Sequence, residues 1–179
     1  MSGAREALRR ETRDCHDRVD AVYSTFRLDT REGYGAFLAA QAAAHIPCEA
    51  ALDHAQAERI VPDWPMRRRA ALLMQDLAGI GFPASAFRIE PQFETEPAVL
   101  GAIYVLEGSR LGGAMLVRSV PTDLPHRFLG ASVPGAWRNL MQFIDARLRS
   151  DAEIGEAVAA ARTVFGLFER AGQASMKVA

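Results

Sequence analysis

The stretch Tyr104–Leu116, YVLEGSRLGGAML, constrains the fold more than any other. It reads as a helix, yet it carries Gly108, Gly112 and Gly113. Each interior glycine costs about 0.5–1 kcal/mol relative to alanine. Three of them cost about 2–3 kcal/mol, against a total stability on the order of 5–15 kcal/mol. At about 100° per residue, Gly108 and Gly112 fall within roughly 20° of Gly101, and Val105 within about 40°. One side of this helix is nearly stripped of side chains for about three turns. Gly113 widens the gap and Ser109 stands on its border. Two readings compete: close packing of another helix through small residues, or a flat ligand lying on backbone. The adjacent glycines at 112 and 113 favour the ligand, since packing needs only one small residue per turn.

The rest of the chain is helical in character. Hydrophobic residues make up 49% of the 179 residues, and alanine outnumbers β-branched residues, the mix of an all-α protein. The length suits a single domain over residues 1–179. A first helix is expected from about Gly3 to Phe26, with Leu8, Thr12, Cys15, Val19, Val22 and Phe26 at helical spacing. A second opens at the N-cap candidate Thr30 and runs to about Glu58, kinked at Pro47. A third spans Met66 to Leu77 and stops at AGIGFP. FRIEPQFETEP reads as a loop with one short extended piece. The glycine helix begins near Glu96 and Pro97, with proline suited to its first turn. VPTDLPHRFLGASVPG is a loop with a helical turn, and helices follow from about Ala136 to Arg149 and from Asp151 to near the C-terminus.

The formal charge of −1 recommends neither nucleic acid nor an anionic membrane as partner. Cys15 and Cys48 form no CxxC pattern, which suits a reducing cytoplasm and excludes a thiolate metal cluster. The polar N-terminus lacks the apolar core of a signal peptide. No apolar run approaches the ~18 residues of a membrane span. A cytoplasmic protein is expected.

His16 lies about 80° round from Leu8, at the edge of the apolar stripe of the first helix. Such a histidine is commonly a satisfied boundary residue. Here Arg9 lies two turns earlier on the same face. Asp20, at i+4, is placed to accept from one imidazole nitrogen, leaving the other to bind metal. A histidine between a cation and an acceptor, edged by apolar residues, suits a flat apolar molecule with anionic substituents. An iron porphyrin is such a molecule.

Two separated motifs resemble the heme oxygenase family. EALRRETRDCHDRVDA resembles the family's first helix, and TREGYGAFLAAQAAAH the opening of its second. YVLEGSRLGGAML resembles the distal helix of the bacterial branch, with wording nearest the phytochrome-associated members. AARTVFGLFE extends the likeness loosely to the C-terminal helix, so it covers most of the chain. The resemblance implies a multi-helix bundle holding heme between the first helix and a kinked, glycine-rich distal helix. It implies His16 as proximal iron ligand with Asp20 beside it, and Arg9 and Tyr104 near the propionates. It also implies Phe165 beside the pocket, and Gly108, Ser109, Gly112 and Gly113 as the distal wall that steers oxygen toward a meso carbon. Animal members carry aspartate where this chain has Ser109, so the groups ordering distal water are left open. The implied activity is oxidative cleavage of heme, both substrate and cofactor, to biliverdin, carbon monoxide and ferrous iron. It needs O2 and an external electron donor, a ferredoxin or a reductase. A phytochrome is one acceptor for the biliverdin; iron acquisition is the other purpose.

Two alternatives stand beside this. The pairs His45–Glu49 and Glu49–Asp53, with His54 adjacent, are candidate ligands of a di-iron carboxylate bundle, although Pro47 disturbs them and the Glu-x-x-His repeats are missing. Otherwise His45 is buried or at the pocket edge, and Glu49 and Asp53 belong to a solvated face. A heme carrier or sensor without turnover is the second alternative, and Ser109 is its best argument. MRRRAA reads as a helix start whose arginines point in different directions and are mostly solvated. Arg138 and Arg147 are further candidates for a propionate. Trp64 and Trp137 read as helix-start anchors, and Cys48 as core.

Overall fold

A computed structural model describes residues 3–83 and 90–176. Among these residues there are ten α-helices and one short 3-10 turn, and no strand. The chain order is α1 (Ala4–Glu11), α2 (Arg13–Tyr23), α3 (Arg31–His54), α4 (Ala57–Ile60), α5 (Trp64–Arg67) and α6 (Ala70–Ile80). It continues with α7 (Glu96–Leu116), a 3-10 turn (Val117–Ser119), α8 (Arg127–Gly130), α9 (Ala136–Arg147) and α10 (Asp151–Met176). The all-α bundle expected from composition is present.

The long helices start where capping chemistry starts them. The Thr30 hydroxyl accepts from the Gly33 amide at 3.1 Å, and that of Thr95 accepts from Ala98 at 3.3 Å ahead of Pro97. Before α10, Ser150 and Glu153 form a capping box: the Ser150 hydroxyl accepts from the Glu153 amide at 3.2 Å, and the Glu153 carboxylate from Ser150 at 2.9 Å. Gly81, at φ 72°, ends α6 in the left-handed conformation that glycine adopts without strain.

α10 is the spine. It packs along α7, α3 and α2, and α3 packs in turn on α6. The core between them is built from Leu38, Leu52, Leu100, Ile103, Ala161 and Val164, all essentially inaccessible. Gly101 belongs to this packing, because a Cβ there would collide with the Ala157 carbonyl oxygen of α10.

Three expected boundaries differ. The first helix is interrupted at Thr12, whose backbone (φ −114°, ψ 4°) leaves the helical region while its hydroxyl donates to the Leu8 carbonyl at 2.7 Å. The second helix stops at His54 because Gln56 adopts a left-handed conformation, φ 54°. The third is two helices, broken by extended backbone at Arg68 (φ −65°, ψ 138°). α3 continues through Pro47. The extended piece expected in FRIEPQFETEP falls partly on residues 87–89, outside the described residues. One exclusion is also corrected: Glu96–Ser119 is long and apolar enough to cross a membrane. More than half of it is buried inside the protein, and Glu107 and Arg110 within it are paired, which is the character of a core helix.

Candidate heme site

α2 carries His16 with its side chain 59% exposed, and the Asp20 carboxylate lies 3.2 Å from Nδ1. Nε2 has no partner among the described residues. Phe165 of α10 meets the imidazole edge to face, with ring centroids 5.9 Å apart, and so limits its rotation. His16, Asp20 and Phe165 are therefore brought together. Arg9 is exposed one turn before the break at Thr12.

Tyr104 ties α7 to this end of the chain. Burial raises the affinity of its phenol for the proton, offset by a hydrogen bond with Thr12 and by the charge of Arg9. Trp137 stacks at a tilt on Tyr104, 5.5 Å between centroids. It is more than a helix-start anchor: it is the residue nearest to a Cβ placed on Gly108, at 3.8 Å.

The glycines divide. A Cβ at Gly112 would meet nothing within 4 Å, and one at Gly108 would only touch Trp137. Gly113 is buried, and a Cβ there would come 3.3 Å from the Leu129 side chain and 3.4 Å from its carbonyl oxygen. Gly101 and Gly113 serve packing, while Gly108 and Gly112 leave open backbone.

Ser109 is placed otherwise than a free wall hydroxyl. It donates to the Leu106 carbonyl at 2.7 Å and accepts from the Arg69 guanidinium at 2.7 Å, so its proton is committed inside its own helix.

Behind α7 lies a buried polar layer that sequence reasoning missed. The run Arg67–Arg68–Arg69 was expected to be mostly solvated; Arg67 and Arg69 are 3% and 2% exposed. Because Arg68 is extended, its neighbours both reach α7, while Arg68 itself pairs with Asp53 at 3.2 Å. Arg69 donates to the Leu106 carbonyl at 2.8 Å and lies 4.6 Å over the Phe128 ring. Burial first, then the charge of Arg110, pushes the Arg69 guanidinium down to about 10.

Glu49 is likewise buried rather than solvated. Its carboxylate accepts from His45 Nε2 at 2.8 Å and from the amides of Arg69 and Ala70 at 2.6 and 3.0 Å, capping α6 from α3. Burial would raise this carboxyl, but those donors hold it below the usual range. Burial lowers His45, so its imidazole is neutral and Nε2 carries the donated proton. Asp53 accepts from the Trp64 indole at 2.7 Å. His45, Glu49 and Asp53 are thus spent on helix packing and capping, and no group of three metal-ligating side chains occurs among the described residues. The di-iron alternative has no site. Arg147 pairs with Glu96 at 2.5 and 2.8 Å, while Arg138 of α9 is exposed with no side-chain partner among the described residues. Cys48 is core, as expected.

Gln41 Oε1, His45 Nδ1 and Arg69 Nε are buried without a protein partner. His45 and Arg69 share Phe128, and Gln41 stands one turn before His45 on α3. Two acceptors and a donor set together in this way suit bound water.

No family model matches the chain. A curated heme oxygenase of Xanthomonas campestris pv. campestris (strain 8004) is 35% identical over 112 residues, 59% of this chain and 67% of that protein. The structure of the NO- and CO-bound heme oxygenase from Neisseria meningitidis superposes with a TM-score of 0.85 at 23% identity, covering 100% of this chain and 94% of that one. The second match carries the fold along the whole length; the first carries sequence over two thirds of a named relative. The chain belongs to the heme oxygenase family.

Proposed function

We propose that this heme oxygenase seats heme against α2 and α7, with His16 Nε2 as the iron ligand. The observation that carries this is a half-exposed histidine on α2 with the Asp20 carboxylate 3.2 Å from its Nδ1, in a chain whose α7 has open backbone at Gly108 and Gly112. Bound heme supplies the redox-active iron and is itself the ring that is opened, with O2 and external electrons, to biliverdin, carbon monoxide and ferrous iron.

The chain's own residues do the rest. Asp20, 3.2 Å from Nδ1, is placed to accept from that nitrogen and so leaves Nε2 as the ligand. Phe165 holds the plane of the ring. Arg9 and the Tyr104 phenol are the groups for an anionic propionate. Gly108 and Gly112 keep side chains away from the reacting face. Ser109 supplies no free proton, because its hydroxyl is spent on Leu106. Proton delivery is assigned instead to water held by Gln41, His45 and Arg69. Electron supply by a ferredoxin or reductase, and delivery of biliverdin to a phytochrome, belong to the same proposal and rest on the family resemblance.

The test is to add hemin to the purified protein, then ascorbate or ferredoxin with its reductase under air and catalase. A one-to-one Soret complex that decays as a biliverdin band grows supports the proposal. A stable complex without turnover, or no complex, overturns it.

A further inference from the structure

Arg67 is buried and contacts no proposed site residue, and every one of its N–H groups is committed. Nε and one terminal nitrogen donate to Asp63 at 2.8 and 2.7 Å. The other terminal nitrogen donates to Glu107 of α7 at 2.9 Å, and both reach the Ala136 carbonyl at the start of α9 at 3.3 Å. Glu107 is 2% exposed and accepts in turn from Arg110 at 2.9 and 3.1 Å. Arg110 closes the ring by donating to the Arg67 carbonyl at 2.6 Å.

This cluster sits at a particular place. Arg110 falls about 200° round the helix from Gly108 and about 160° from Gly112, so the clamp grips α7 from behind the open backbone. Those glycines make residues 108–113 the softest part of α7, because bare helix backbone gains most entropy on opening. A closed ring of buried ionic hydrogen bonds therefore lies behind a glycine-rich helical turn. A helix needing only to be packed is served by apolar contacts, and replacing a buried ion pair by such contacts is often neutral or stabilising. Two arginines and a glutamate, fully hydrogen-bonded, add something else: one fixed geometry.

We propose that Arg67 is a positioning residue for the cleavage reaction: with Glu107 and Arg110 it locks the back of the distal glycine segment and fixes how Gly108 and Gly112 present their backbone to the heme. It acts through α7 and touches no reacting atom. The proposal rests on the heme oxygenase reading, and the experiment separates the two.

Hydrogen–deuterium exchange is first read on the heme-free protein, for wild type, Arg67→Gln and Glu107→Gln. Amides 107–113 are expected to exchange at least tenfold faster in both variants, while those of α3 and the centre of α10 keep wild-type protection. The biliverdin isomer distribution is then read on the hemin-loaded proteins, and is expected to broaden in both variants with hemin still bound one to one. Arg67→Lys, which keeps the charge but not the five-donor fork, should fall between. If Arg67→Gln does not fold, Glu107→Gln and Arg67→Lys carry the test. Exchange that rises evenly over all helices, or an unchanged isomer pattern, overturns the proposal and leaves a merely structural clamp. Wild-type protein that binds hemin without turning it over refutes the heme oxygenase reading instead; the exchange result then still reports on the clamp.

Discussion

Gly101 and Gly112 share one face of one helix, yet alanine should act at them in opposite directions. At Gly112 a Cβ meets nothing within 4 Å, so the substitution collects only helix propensity, about 0.5–1 kcal/mol in favour of the folded state. For a chain of this size 1 kcal/mol moves the midpoint by about 2–4 °C, so the heme-free Gly112→Ala protein should melt about 1–4 °C higher. At Gly101 the new methyl runs into the Ala157 carbonyl, backbone that cannot swing aside. Overpacking of this kind costs about 1–3 kcal/mol, and more against backbone, which exceeds the propensity gain. Gly101→Ala should therefore melt lower, by about 2–8 °C. The assay is thermal unfolding of the heme-free proteins followed by far-ultraviolet circular dichroism, with hemin titration and turnover alongside. Gly112→Ala should gain stability while losing turnover or altering the product isomers. Melting shifts of the same sign, or a Gly112→Ala enzyme both more stable and fully active, would refute the division of the glycines into packing and open positions.

Other outcomes follow from the buried layer and the site. His16→Ala should lose the wild-type Soret complex and turnover on hemin addition while keeping the wild-type melting profile, because this side chain is exposed in the heme-free fold. Glu49→Ala strands His45 and two amides of α6, and should cost about 3–5 kcal/mol in denaturant unfolding; Glu49→Gln, which keeps an acceptor, should cost less. The folded pKa of His45 lies below its ordinary value of 6.5, so below that pH the unfolded chain takes up a proton that the folded chain refuses. Stability should then fall by about 1.4 kcal/mol per pH unit as the solution is acidified. Glu49, whose folded pKa is lowered, adds a further loss below about 4.5, and His45→Gln should flatten the upper part of the curve.

The helices were legible because their signals are local. Thr30, Thr95 with Pro97, and the AGIGFP stop each act within a few residues of themselves. The pairing of His16 with Asp20 was legible for the same reason, since a four-residue spacing on a helix places the two side chains together. What the sequence hid depends on distant partners. Nothing in the local pattern separates Gly101 from Gly112; the difference is where Ala157 of α10 lies. The three arginines at 67–69 were misread because helical periodicity scatters them, whereas the extended backbone at Arg68 sends the first and third to one side. That break exists because Glu49, twenty residues earlier, caps α6 at Arg69 and Ala70. Ser109 was read as a wall hydroxyl, and only the position of Arg69 shows that it is taken.

The exposure of His16, the iron ligand proposed above, bears on how the protein would acquire its substrate. A ligand nitrogen buried in the core would force the chain to open before heme entered, and loading would be paced by that opening. Here both flanking helices are already braced on α10, and the imidazole stands 59% exposed beside them. Heme can therefore arrive at a finished fold. Loading should be first order in hemin and first order in protein, and the same surface should release biliverdin without unfolding.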